Sequence, residues 1–368
     1  MPLVPLVSQI GFDFGQGVSR NKQVIQLNRS ARFAFPACDD RADKIPRSTA
    51  YRHRAWPLVQ AVTAFAAISG VPTAAPTRTR TYADGRPFDE LHYLQAKLLL
   101  KPNSLGSPDQ FREFGRLVQR TARALKIGVV ADRATLEAPQ VREIVFGDTP
   151  DFRLYKNGFI LRRRIRYVDG FPSGDPEIVF KFRDPNLHRA AALDIRPDIA
   201  GRYQIKFKIQ ALPLNDRIGG YRLLYSHNCQ FGVSQLDEPD RTAMSTLARV
   251  FPALASLKKS SGERIRFVNE GIVEELLFPL GKLDFGKGFL AKSDVSIWRT
   301  RGDHKPIVGE YAFQVKFDDR GEVPSKTEKL VKEFFVTLQR DIEGWISLGT
   351  TKTGLVYRLK GHAIDRHE

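Results

Sequence analysis

The chain has 368 residues, of which 42% are hydrophobic and 27% charged, a composition typical of a globular protein with a real core. Lys and Arg outnumber Asp and Glu by 58 to 41, and the resulting net charge of +17 favours phosphate-rich partners or an anionic membrane surface. Two cysteines exclude a disulfide framework and a thiolate zinc site, and the sequence predicts no membrane span, since it has no run of eighteen apolar residues.

Residues 1–86 differ in composition from the remainder. They are rich in Pro, Ser, Thr and Ala and lack a sustained hydrophobic period, which predicts a mostly disordered extension. Within them, residues 52–75 run from basic to apolar to small side chains, which is the order of a secretory signal. The segment lies farther from the N-terminus than such a signal normally does. We therefore predict a cytoplasmic protein, with a secreted or periplasmic location as the alternative if 52–75 acts as a signal.

Regular patterning begins near Phe88, and we predict a folded domain over 87–350 and a C-terminal tail over 351–368. Tyr93–Leu100 has the pattern of a strand. Ser107 and Pro108 are a good start for an amphipathic helix over 108–126. Another strand is predicted at Val141–Phe146.

A hairpin is predicted over 147–183, with strands at Phe159–Tyr167 and Glu177–Arg183 and a loop over 169–176. Side chains alternate between the two faces of a strand. One face of this hairpin is therefore cationic, and it carries Arg162, Arg164, Lys181 and Arg183. The other face is apolar.

Further alternating segments follow along the chain. Arg202–Gln210 places Lys206 and Lys208 on one face. The remaining predicted elements are a helix over Asp240–Leu257, strands at Arg264–Phe267 and Gly271–Phe278, a hairpin of Val295–Arg301 with Glu310–Phe317, and a helix after Ser325.

Two arrangements satisfy strands with one cationic and one bulky apolar face. In an open antiparallel sheet the cations face water, whereas in a closed barrel they converge on a central tunnel and helices cover the outside. The single sign of the polar faces and the bulk of the apolar faces favour the tunnel. We therefore predict an α+β fold, a tunnel-like β-barrel with helices packed outside.

Several short motifs in this hairpin resemble the CYTH, or triphosphate tunnel metalloenzyme, superfamily. They are Phe146-Gly147-Asp148-Thr149-Pro150-Asp151, Leu154-Tyr155-Lys156-Asn157-Gly158, Leu161-Arg162-Arg163-Arg164 and Glu177-Ile178-Val179-Phe180-Lys181, in that order. With the surrounding elements the resemblance covers about 90–345, although only 146–183 is specific.

The resemblance implies an eight-stranded antiparallel tunnel barrel that binds a triphosphate, a polyphosphate or a nucleotide, with Mg²⁺ or Mn²⁺ as cofactor in the hydrolytic members. It implies phosphate binding by Arg162, Arg164 and Lys181, with Arg299 and Arg301 as later contributors. The resemblance also implies Lys97, the lysine of the family's first-strand motif, and strand alternation adds Arg183, Lys206 and Lys208 to this set. Glu310 and Glu274 are the candidate metal ligands, and Glu274 and its neighbour Glu275 are the acids that could replace the missing carboxylates.

The first strand departs from the superfamily pattern. Where the family has Glu-x-Glu-x-Lys, this chain has Tyr93-Leu94-Gln95-Ala96-Lys97, so the lysine is kept and both acids are missing. Three functions therefore stay open: a metal-dependent triphosphatase, a non-catalytic polyanion-binding tunnel that has lost its metal site, and a nucleic-acid binder with an external basic surface. No recognition motif supports the third.

Three acidic or nucleophilic features have simpler structural interpretations. Asp148 and Asp151 are predicted to cap a turn as side-chain acceptors. His227 and Cys229 are predicted to be a packed pair near a strand. The simpler alternative to metal binding by Glu310 is that it neutralises cations of the tunnel.

Overall fold

A computed structural model describes residues 87, 90–130, 139–238, 240–257, 262–317 and 323–361 of the chain. The predicted N-terminal extension, including the signal-like segment 52–75, lies outside these residues. In the part of the chain described here, no helix has the length and apolar character needed to span a membrane.

The described elements alternate long strands with a few helices. The strands are β1 (Tyr93–Leu100), β2 (Gly128–Val130), β3 (Gln140–Asp148), β4 (Phe159–Val168), β5 (Phe171–Asp184), β6 (Gln204–Pro213), β7 (Tyr221–Gly232), β8 (Arg266–Phe267), β9 (Val273–Asp284), β10 (Leu290–Thr300) and β11 (Pro306–Lys316). The helices are α1 (Pro108–Ala124), α2 (Arg153–Lys156), α3 (Leu187–Ala192), α4 (Met244–Val250), α5 (Ser325–Asp341) and α6 (Lys352–Tyr357).

The predicted barrel is closed, but it differs from the predicted strand count. Among the described strands, nine form a ring in the order β9-β10-β11-β1-β6-β7-β5-β4-β3, which pairing of β3 with β9 completes. An odd number of strands cannot alternate in direction all the way round a closed ring. One neighbouring pair must therefore be parallel, and here it is β1 with β6. The expectation of eight antiparallel strands is corrected to a mixed barrel of nine.

The hairpin of β4 and β5 turns more sharply than the sequence pattern indicated. Its connection is Asp169-Gly170, with φ of 49° and 82°, so β5 begins at Phe171 rather than near Glu177. Two consecutive positive φ values suit a two-residue turn between twisted antiparallel strands, and Asp-Gly is a favoured pair for it. The pairing of β4 with β5 changes register between Arg164 and Arg166.

Two helices cover one side of the barrel, as predicted. In α1 the Ser107 side chain accepts from the Gln110 backbone N–H, which caps the first turn. Buried rings of α1 and α5, including Phe114 and Phe334, pack with Tyr311 and Phe313 from the outer face of β11. Burial of these large outward side chains leaves only the polar face of β11 for the interior.

A second apolar cluster covers the outer faces of β4, β5 and β7. Phe180 stacks on Phe251, which follows α4, with ring centroids 4.2 Å apart. The predicted helix over Asp240–Leu257 is shorter than expected, because α4 ends at Val250 and a 3-10 turn at Pro252–Ser256 continues the chain. Pro252 lacks the N–H that a continuing α-helix would require at that point.

One end of the barrel is filled by apolar side chains. Phe146, Trp298 and Val308 pack there with Val356 and Tyr357 of α6. Tyr357 stacks on Tyr155 at 4.1 Å between ring centroids. Helix α6 therefore closes this end of the barrel.

Asp148 fixes the closed end. Its carboxylate accepts hydrogen bonds from the backbone N–H groups of Thr149, Leu154 and Tyr155 and from the Tyr357 hydroxyl, at 2.7–3.0 Å. Asp151 accepts from the Thr149 hydroxyl. The predicted capping role of the two aspartates is confirmed, and Asp148 in addition ties the turn before β4 to α6.

Candidate functional site: a basic cavity in the barrel

The inward faces of the strands enclose a polar cavity of about 280 Å³. Its charged lining combines nine cations with three carboxylates: Lys97, Arg142, Arg162, Arg164, Lys181, Arg183, Lys206, Lys208 and Lys352 with Glu275, Asp294 and Glu310. If all were ionised, nine positive and three negative charges would leave a net charge of +6. Basic groups therefore outnumber acidic groups in the cavity lining by three to one.

We call the adjoining inner faces of β4, β5 and β6 the cationic wall. They carry Arg162 and Arg164, Lys181 and Arg183, and Lys206 and Lys208, respectively. Strand β7 lies between β5 and β6 and contributes the neutral Asn228 and Gln230. The structure brings together all six predicted residues of these strands, together with Lys97 of β1.

Glycine at the start of β4 positions this wall. Gly158 has φ of +80°, and a Cβ there would lie 2.7 Å from the carbonyl oxygen of Arg183. The Arg183 N–H in turn donates to the Gly158 carbonyl at 2.9 Å. A side chain cannot be accommodated at this approach, so glycine fixes how β4 meets β5 and where Arg162 and Lys181 point.

The lysines of the cavity hold their protons weakly. Burial, reinforced by neighbouring cations, lowers the pKa of Lys208 to about 7 and lowers the pKa of Lys181 well below its usual value. Burial also lowers the pKa of Lys97 to about 8, although Glu310 partly opposes this shift. A bound anion would oppose these shifts, because its negative charge favours the protonated lysines.

We call the opposite inner faces of β9, β10 and β11 the acidic wall; it carries Glu275, Asp294 and Glu310, respectively. Glu275 contacts Lys352 at 3.2 Å and Arg142 at 3.3 Å and accepts from the Trp298 indole N–H at 2.7 Å. Although burial raises the pKa of Glu275, these partners outweigh it and bring the pKa to about 2. Burial raises the pKa of Asp294 to about 6.

The two candidate metal ligands lie in different surroundings. Glu310 lines the cavity and contacts Lys352 at 2.9 Å and Lys97 at 3.9 Å, as the neutralising interpretation predicted. Glu274 does not line the cavity, and it pairs with Arg299 and with His304. Its neighbour Glu275 faces inward instead, so the structure does not bring Glu274 and Glu310 together.

Arg299 and Arg301 also fail to reach the cavity. Arg299 pairs with Glu274, whereas Arg301 pairs with Glu143 and donates to the Tyr167 hydroxyl at 2.7 Å. Arg299 shares its face of β10 with Val295 and Ile297, which are buried under the outer helices. The expectation that these two arginines join the cationic set is corrected: they belong to an ion-pair network apart from the cavity.

The donors present do not fit the metal site that the resemblance implies. The inward positions of β1 where carboxylates were expected hold Tyr93 and Gln95, and Gln95 accepts a hydrogen bond from Gln210. Both Glu275 and Glu310 are already paired with Lys352. Among the residues with described structure, no group of three or more His, Cys, Asp or Glu side chains is arranged to hold a metal ion.

Three charged residues of the cavity were not predicted from the sequence. Arg142 and Asp294 lie on strands whose inward phase could not be chosen from the sequence, and Lys352 lies beyond the predicted domain end at 350. A usable pattern was present for Lys352. Thr351 is a capping residue before an apolar turn, and its side chain accepts from the Gly354 N–H.

His227 and Cys229 are buried on the outer face of β7, as predicted for a packed pair. His227 lies 4.7 Å from the Phe207 ring, and Cys229 belongs to the apolar cluster against α4. Burial raises the pKa of the Cys229 thiol. A thiol kept protonated in this way is a poor nucleophile.

Comparison with known proteins finds similar solved structures. A putative adenylyl cyclase from Hippeastrum, described as having a dominant triphosphatase activity, is 11% identical over 74% of this chain and 98% of its own, with a TM-score of 0.34. A protein from Pyrococcus horikoshii OT3 is 11% identical over 73% of this chain and 99% of its own, with a TM-score of 0.31. A putative adenylate cyclase from Bacillus halodurans is 14% identical over 67% of this chain and 91% of its own, with a TM-score of 0.30.

Two of these three solved structures, those from Hippeastrum and Bacillus halodurans, are described as putative adenylate cyclases. The chain matches no protein-family model, and no curated protein matches it in sequence. At such scores the likeness is slight, and the function proposed below rests on the cavity itself.

Proposed function

We propose that the barrel cavity binds a small polyanion, a triphosphate, short polyphosphate or nucleotide, through Lys97 and the cationic wall. The observation that carries this proposal is the convergence of buried lysines and arginines on one cavity whose three carboxylates cannot neutralise them. Concentrated like charges disfavour the empty state, and an anion removes that penalty. Arginine forks match phosphate oxygens, and hydrogen bonds to charged groups contribute about 1.5–3 kcal/mol each.

The size of the cavity supports a short anion. A volume of about 280 Å³ is at the lower end of small-molecule sites. Because α6 and the apolar cluster close one end, an anion has to enter at the end where Arg164 and Lys206 lie. A nucleic-acid strand cannot thread such a cavity, which argues against the nucleic-acid hypothesis for this site.

Binding without turnover is the form of this function that the residues support best. Phosphoryl transfer in the superfamily uses Mg²⁺ or Mn²⁺ on carboxylates, and the equivalent positions here are Tyr93 and Gln95. Metal-dependent hydrolysis remains the second candidate, because Glu275, Asp294 and Glu310 do line the cavity.

Thermal unfolding of the full chain with tripolyphosphate tests the proposal. We expect the melting temperature to rise by about 3–8 °C at saturation, and by the same amount at equal free tripolyphosphate when Mg²⁺ is present. No phosphate should be released. Release that requires Mg²⁺ or Mn²⁺ would establish the second candidate, and indifference to every polyphosphate would reject both.

A further inference from the structure

Lys352 is placed unlike the other cations of the cavity. Among the described charged residues that line it, Lys352 alone comes from outside the barrel strands, at the first position of α6. Its ammonium lies 2.9 Å from Glu310 and 3.2 Å from Glu275, and it donates to the Ser296 hydroxyl at 3.3 Å. It also lies 4.3 Å from the centre of the Trp298 ring.

The segment that carries Lys352 is held at several points. Thr351 caps the helix, and the Asn269 side-chain amide donates to the backbone carbonyls of Val356 and Tyr357 at 2.6 and 3.1 Å. The Tyr357 hydroxyl donates to Asp148. The ammonium is therefore positioned by a buried scaffold rather than by a free side chain at the open end.

Two inward carboxylates that share one cation resemble half of a divalent metal site. Mg²⁺ and Mn²⁺ take carboxylate oxygens as ligands, and Mg²⁺ requires them at about 2.0–2.1 Å in octahedral geometry. The Lys352 ammonium already occupies the space between Glu275 and Glu310. Arg142 contacts Glu275 at 3.3 Å and Lys97 contacts Glu310 at 3.9 Å, so each carboxylate has one further cation beside the Lys352 ammonium.

We propose that the ammonium of Lys352 takes the place of a metal ion in this cavity, holding Glu275 and Glu310 and presenting a fixed positive charge to the bound anion. The contact between Lys352 and an anion rests on the proposed function. The replacement of the metal ion does not: removal of Lys352 should uncover a divalent-cation site that the native chain lacks.

Mn²⁺ binding to the full chain, measured by electron paramagnetic resonance without any phosphate, tests this inference. We expect the wild type to bind no Mn²⁺ that depends on Glu310. Lys352→Ala should bind about one ion per chain, with a rise in melting temperature of about 2–4 °C at saturation. Adding Glu310→Gln to Lys352→Ala should abolish both responses, because the pair of carboxylates is then broken.

Two variants serve as matched controls. Lys352→Arg keeps the positive charge and should gain no Mn²⁺. Lys360→Ala removes an exposed lysine that pairs with Glu270 at 2.8 Å just after α6, and it should behave as the wild type. If Lys352→Ala does not fold, Lys352→Gln replaces it, since a neutral amide can still donate to one carboxylate.

Each result decides the matter. A wild-type chain that binds Mn²⁺ and loses it on Glu310→Gln would overturn the inference, because the lysine would then not exclude the metal. A folded Lys352→Ala that gains no ion would also overturn it. Because these measurements use no polyanion, they stand or fall apart from the tripolyphosphate experiment.

Discussion

The two walls of the cavity carry opposite charges, and they differ in how far these charges are paired within the chain. On the acidic wall, Glu275 and Glu310 are satisfied from within the chain by Lys352, Arg142 and Lys97. On the cationic wall, the lysines have lowered pKa values because burial and their neighbours disfavour their protons. Two of the three carboxylates of the acidic wall are therefore neutralised within the chain, whereas the cationic wall is suited to an external anion.

This difference separates a binding site from a merely charged interior. A buried charge that is paired and hydrogen-bonded is compensated within the protein, whereas a buried set of like charges raises the free energy of the protein without its ligand. Arg164 at the open end is an intermediate case, because it pairs with Glu177 while it lines the cavity. The predictions below act on one wall at a time.

Removal of two cations from the cationic wall should have the largest effect. Lys181→Ala combined with Arg164→Ala should weaken tripolyphosphate binding by about 100-fold or more, since each lost charged hydrogen bond contributes about 1.5–3 kcal/mol. Isothermal titration calorimetry measures this loss. Arg116→Ala is the control, because Arg116 is an exposed residue of α1 that does not line the cavity. Unchanged affinity in the double variant would remove both residues from the site.

The closed end of the cavity should be sensitive to Asp148. Asp148→Ala leaves the Tyr357 hydroxyl and three backbone N–H groups without their shared acceptor, so we expect a loss of about 3–5 kcal/mol in the free energy of unfolding. Chemical denaturation of the two proteins measures it. Asp151→Ala, on the exposed side of the same turn, should cost about 1 kcal/mol or less. Equal losses for the two variants would contradict the anchoring role of Asp148.

Strand alternation made much of this cavity predictable from the sequence. The hairpin placed Arg162, Arg164, Lys181 and Arg183 on one face because side chains on a strand have a strict period of two. The same logic, carried through, would have turned Arg299 away from the cavity. Val295 and Ile297 share its face, and large apolar side chains point out of this barrel toward the helices.

Other features depend on contacts that are distant in sequence. Glu274 and Glu275 are adjacent, and only the pairing of β9 with β3 and β10 decides that Glu275 faces inward. Lys352 enters the cavity from a helix that the chain forms after the last barrel strand. The ninth strand and the parallel pair follow from closure of the ring, which no local pattern encodes.

The lowered lysine pKa values give the cationic wall a dependence on pH. Lys208 has a pKa near 7 when folded and about 10.4 when unfolded, so between these values the unfolded chain binds more protons. The free energy of unfolding should therefore rise with pH from 7 to about 10, by up to about 1 kcal/mol per pH unit. Burial is the largest cause of this shift in the pKa of Lys208, and the charged neighbours Lys97, Lys206, Arg162 and Arg164 add to it.

Melting temperatures across pH 7–9.5 check this dependence. Lys208→Gln should reduce the slope of the profile, with Lys97 and Lys181 accounting for the remainder, whereas Lys326→Gln, outside the cavity on α5, should leave the slope unchanged. Tripolyphosphate binding should take up protons near pH 8, visible as a buffer-dependent heat, and should weaken as the pH rises. Binding without proton uptake would show that the anion does not lie against Lys208.

The smallest effect is expected at the open end, where one carboxylate competes for the cationic wall. Glu177 contacts Arg164 at 2.5 Å, and both side chains are 26% exposed, so solvent screens the pair and its contribution is modest. Glu177→Gln should free Arg164 for the anion and tighten tripolyphosphate binding by about 2- to 5-fold. Glu238→Gln, which breaks the exposed pair with Arg249, is the control and should leave affinity unchanged. Weaker binding after Glu177→Gln would mean that the carboxylate orients Arg164 toward the anion rather than competing with it.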